Sequence, residues 1–72
     1  MNPKNNDGWI SVKDKLPENY LYVLLFDAQY REMFIGYMDA GGEFQLEGYS
    51  YEYSLGYHFT YWMPLPEPPK EE

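Results

Sequence analysis

The sequence predicts an all-β domain, a small antiparallel barrel or strongly bent sheet of five to six short strands, with an SH3-like barrel as one form it could take. Three observations lead there. Apolar residues come in short runs separated by glycine and proline, several runs alternate with the period of a strand, and no stretch of about ten residues carries the three-to-four spacing of an amphipathic helix.

The first run, Trp9 to Val12, is rich in β-formers, and the charges and proline of Lys13-Asp14-Lys15-Leu16-Pro17 end it, so a short strand and a turn are expected. From Tyr20 to Asp27 nearly every residue is apolar, the composition of a central strand covered on both faces. Ala28 to Glu32 is polar enough to connect, and Met33 to Met38 resumes strand composition, with Gly36 as a bulge or a point of close backbone approach. Asp39-Ala40-Gly41-Gly42 supplies the positive φ angles of a tight turn, which makes 33–38 and 43–47 antiparallel partners.

Between Gly48 and Gly56 the order Tyr49-Ser50-Tyr51-Glu52-Tyr53-Ser54 alternates, placing three tyrosines on one face of a strand; the glycines and serines make a loop the competing reading. Tyr57 to Met63 alternates again, with Tyr57, Phe59 and Tyr61 on one side and His58, Thr60 and Trp62 on the other. Pro64, Pro66, Pro68 and Pro69 then remove backbone donors and stop the sheet. The expected organisation is a polar arm over 1–8, a single domain over 9–66 and a flexible acidic, proline-rich tail over 67–72.

Seventy-two residues bury only about 60% of the unfolded chain's surface, and without cysteine neither a disulfide nor a thiolate metal site can compensate. Two tryptophans, four phenylalanines and nine tyrosines are the compensation, each burying about 150–250 Å². A formal charge of −7 repels phosphate backbones and anionic membranes, so neither a nucleic-acid partner nor a membrane partner is expected. The polar N-terminal residues lack a signal-peptide pattern and no apolar run reaches membrane-spanning length, so a cytoplasmic protein is expected.

An enzyme is not expected. His58 is the single histidine, and neither a nucleophile elbow nor a phosphate-cradling glycine loop is present. Glu43 and Glu47, with Gln45 between them, read as the solvent face of a strand rather than a glycosidase pair, and Asp39 with Glu43 reads as a turn rather than a calcium loop. No cofactor or metal is expected. What the composition suits is recognition: aromatic faces for flat or cationic groups and carboxylates for basic ones. Tyr49, Tyr51, Tyr53 and Glu52 are the predicted contact surface.

The two ends carry matching segments. Trp9-Ile10-Ser11-Val12 with Leu16-Pro17, and Trp62-Met63-Pro64-Leu65-Pro66, resemble the opening W-I-S-V-x-x-x-L-P and closing H-W-M-P-L-P motifs of DUF551, a small phage- and prophage-associated family of unknown function. Tyr61 stands where that family usually has histidine, a departure from the closing motif that leaves this chain without that imidazole. Trp9, Leu16, Trp62 and Leu65 are expected to pack as a structural clasp between the two ends. The resemblance implies an accessory protein that binds a host protein. Two alternatives stand beside it: a tyrosine-lined site that sequesters a planar or nucleotide-like small molecule, and a homo-oligomeric structural part.

Overall fold

A computed structural model describes residues 8–66. The expected arm over 1–8, apart from Gly8, and the tail over 67–72 lie outside the described residues. Five strands, β1 (Ile10–Ser11), β2 (Val23–Asp27), β3 (Glu32–Met38), β4 (Phe44–Leu46) and β5 (Phe59–Pro64), form one antiparallel sheet in the order β1-β5-β2-β3-β4. A single helical turn, α1 (Tyr51–Ser54), lies between β4 and β5. The sheet has two edges and does not close, so of the two expected all-β forms it is the open one.

Local chemistry accounts for the connections. Asp27 ends β2, and its carboxylate accepts the Tyr30 N–H at 2.6 Å, closing the 28–31 turn in which Arg31 takes a left-handed φ of 56°. In the next hairpin the Asp39 carboxylate accepts the N–H groups of Gly41 (2.9 Å) and Glu43 (3.0 Å), while Gly42 supplies a φ of 87°. Those bonds, that from Glu43 foremost, hold the Asp39 carboxyl below its usual range. Gly36 is the anticipated close approach: a Cβ there would fall on the Gln45 carbonyl oxygen.

Register sorts the side chains. Val23, Leu25 and Asp27 of β2 are fully buried and stand beside Trp62 and Phe59 of β5, Phe34 and Gly36 of β3, and Leu46 across β3. This is the core face. The strict alternation expected for 57–63 fails at one place. Between the pairs Phe26–Tyr61 and Asp27–Phe59 the ladder skips Thr60, a bulge that turns both Phe59 and Trp62 inward although they lie three residues apart.

The expectation that β2 is covered on both faces is also corrected. It is the middle strand, yet Leu24 and Phe26 stay half-exposed, because the helical turn packs on the other face and only single side chains such as Trp9 and Arg31 reach Phe26 on this one.

Candidate functional site

The predicted contact residues do not lie on a strand. Ser50 caps a helix instead, its Oγ accepting the Tyr53 N–H at 3.2 Å, and the Ser54 hydroxyl lies 2.7 Å from the Tyr51 carbonyl oxygen and 3.3 Å from that of Phe44, tying the turn to β4. Four-residue spacing therefore replaces alternation. Tyr49 and Tyr53 stack face to face, with centroids 4.5 Å apart and planes inclined by 13°, and Tyr57 continues the column 5.5 Å beyond Tyr53. Tyr51 turns aside, and its hydroxyl donates to Glu43 Oε1 at 3.3 Å.

The column roofs the core. Phe34 meets Tyr49, Tyr53 and Tyr57 edge-on at 5.8, 6.5 and 4.9 Å, and Tyr30 meets Tyr57 at 5.5 Å. About half of Tyr49 (51%) and of Tyr53 (43%) still faces outward, as do Tyr51 and Glu52. The hydroxyls of Tyr53 and Tyr57 are 3.0 Å apart. That bond, then burial, then the Glu32 carboxylate push the Tyr57 hydroxyl well above its ordinary value; burial and Glu43 raise Tyr51. The structure thus brings together Tyr49, Tyr53 and Tyr57, which the sequence reading had split between two segments, and separates Tyr51 from them.

Beside the column opens a cleft of about 400 Å³, lined by Glu43 and Phe44 on one side, Ser54, Leu55 and Tyr57 on another, and Phe59 and Thr60 below. The Thr60 hydroxyl is buried without a hydrogen-bond partner among the described residues. His58 also reaches this cleft; its backbone N–H donates to Asp27 Oδ1 at 2.6 Å. Among the described residues no group of three or more histidine, aspartate or glutamate side chains is placed to hold a metal ion, and no helix is long and apolar enough to cross a membrane.

The two ends do meet, though not by the expected contacts. β1 pairs with β5, matching Ile10 with Trp62 and Ser11 with Tyr61, and the buried Trp62 indole donates its Nε1–H to the Lys15 carbonyl at 2.8 Å. Trp9, one residue from Ile10, falls on the opposite face and packs on Phe26 at 5.9 Å. Leu65 is half-buried. Leu16 is 52% exposed and is no part of a buried clasp, since Pro17 takes the interior position and Lys15 gives its carbonyl to Trp62.

Asp27 is the site-building residue that sequence reasoning missed. An acid closing an apolar run just before a polar turn was the available signal.

Fold and surface together define a small all-β domain roofed by a tyrosine column and bordered by carboxylates. A family model described as a protein of unknown function, DUF551, matches residues 8–70, and the chain belongs to that family. No curated protein and no solved structure matches the chain.

Proposed function

We propose that the domain is a non-catalytic binding module of the phage or prophage accessory type, acting in the cytoplasm and engaging a basic segment of a host protein. The observation that carries this reading is the stacked pair Tyr49 and Tyr53, held in place by Phe34 and bordered by the exposed acids Glu32, Glu43 and Glu52. Rings already fixed by their neighbours lose little rotamer freedom on binding, and carboxylates around them favour a partner of opposite charge. The alternative of a tyrosine-lined pocket for a planar ligand draws less support, because Tyr57 alone of the tyrosines lines the cleft.

Self-assembly is a second reading with an observation of its own. The sheet face away from the roof exposes Met33 and Ile35 beside half-exposed Leu24, Phe26 and Met63. Native mass spectrometry of the protein drawn from host lysate separates the readings. A host protein held by the unaltered chain and by Met33→Ser/Ile35→Ser, but lost from Tyr49→Ala/Glu52→Lys, is the expected result. Loss from the Met33/Ile35 variant alone would move the contact to the open face. A homo-oligomer dissolved by that same variant would replace host binding with assembly.

A further inference from the structure

We infer that the cleft beside the tyrosine column receives the guanidinium of an arginine side chain projecting from the partner, a reading that rests on the proposed binding of a basic protein segment. At about 400 Å³ the cleft is within the range of small-ligand sites and larger than packing defects of a domain this size. Its walls are of two kinds. Phe44, Tyr57 and Phe59 offer aromatic surface and Leu55 an aliphatic one, while Glu43 brings a carboxylate and Thr60 lines the wall with its hydroxyl turned out of solvent.

That combination fits a long apolar stem ending in a flat cation. Among the described residues neither lysine nor arginine lines the cleft, where the Glu43 carboxylate, whose Oε1 already accepts the Tyr51 hydroxyl, stands beside aromatic walls. Arginine suits it better than lysine, because a planar, weakly hydrated guanidinium can stack on rings and still direct several N–H donors to a carboxylate. Thr60 adds the remaining cue. Its Oγ1 is shielded from solvent and unpaired among the described residues, and a turn about χ1 under an incoming donor would give it a partner.

The bulge explains why such a hydroxyl is present. Thr60 is the residue the β2–β5 ladder skips, and it lines both the cleft and a second, smaller hollow with Ser11, Val12, Lys13, Ala28 and Tyr61. Bulges commonly re-aim a side chain beside a functional site.

The test uses the full chain labelled with ¹⁵N and titrated with acetyl-Gly-Arg-Gly-amide, against the same peptide carrying neutral citrulline. Amide shifts concentrated at Glu43, Phe44 and residues 54–60, with binding about tenfold weaker for citrulline and for Glu43→Gln, are expected. Thr60→Val should weaken the arginine peptide while leaving the melting temperature unchanged or raised, which separates loss of a contact from loss of fold. Equal response to citrulline, or no shift at the cleft, overturns the inference. Shifts confined to Tyr49 and Tyr53 would do so while leaving the tyrosine-column reading intact; that reading fails independently if the host protein is retained by Tyr49→Ala/Glu52→Lys.

Discussion

The two faces of this sheet are made by the same strands and have opposite fates. On one, Val23, Leu25, Phe59 and Trp62 are closed beneath Phe34, Phe44 and the tyrosine column. On the other, side chains of similar apolar character gather into two aromatic islands. Trp9, Tyr61 and the Arg31 guanidinium surround Phe26, and Tyr20 and Tyr22 lean on Tyr37. No second layer lies over those islands among the described residues. The difference shows that in a chain this short the apolar content of a strand does not decide which face is buried; the reach of one helical turn and its loops does.

The largest effect that can break this comparison is a pair of truncations. Trp62→Ala should cost about 3–5 kcal/mol, since it empties a core position and leaves the Lys15 carbonyl without its indole donor. Phe26→Ala, on the open face between the buried Leu25 and Asp27 and half-exposed itself, should cost about 1–2 kcal/mol, the share of a Phe burial that its exposure allows. Urea unfolding of both variants gives the answer. Equal losses would mean that the open face is covered in solution, by another copy or by a partner.

A smaller effect comes from Asp27. Its two carboxylate oxygens accept N–H groups from opposite directions along the chain, Tyr30 in the first hairpin and His58 at the entrance to β5, and the side chain has no solvent contact. Asparagine offers one acceptor oxygen and turns an NH₂ toward the other donor, so Asp27→Asn should cost about 2–3 kcal/mol, the scale of a lost charge-assisted bond. Amide hydrogen exchange at Tyr30 and His58 should show one of the two losing protection. A stable variant with both amides still protected would remove Asp27 from the role of joining the covered face's two ends.

Much of this was legible in the chain. Short alternating runs and glycine turns identified the all-β class, the hairpin at Gly41-Gly42 and the close approach at Gly36, because each depends on local backbone chemistry. Matching end motifs anticipated the joining of β1 and β5. Errors arose where one residue changes a period. At Thr60 a single inserted residue reverses the faces of β5, and at Ser50 a cap converts tyrosine alternation into a helical column. Neither is visible in hydrophobic pattern alone. Leu16 failed for another reason: the contact at that place is made by the Lys15 backbone, which composition does not reveal.

The smallest effect concerns protons, and it sharpens the contrast at the surface. Tyrosine hydroxyls meet glutamates on both sides of the sheet: Tyr57 with Glu32 and Tyr51 with Glu43 beside the column, Tyr22 with Glu47 near the open face. All three hydroxyls titrate above the ordinary 10.0, Tyr22 chiefly through the neighbouring Glu47 carboxylate, and Tyr57 furthest because Tyr53 bonds it, its ring is packed and Glu32 stands near. A raised folded value means that the native state holds its proton longer than the unfolded chain. The stability tied to these hydroxyls is therefore whole below about pH 10 and falls as pH climbs through the folded values. Thermal melts at rising alkaline pH, followed with tyrosinate absorbance, should show stability declining as the unfolded chain's tyrosines ionise, with part of the native absorbance delayed. Tyr57→Phe should flatten that decline more than Tyr22→Phe, because the column's hydroxyl is the more strongly shifted. A greater flattening from Tyr22→Phe would instead place the tighter hydroxyl–carboxylate contact near the open face.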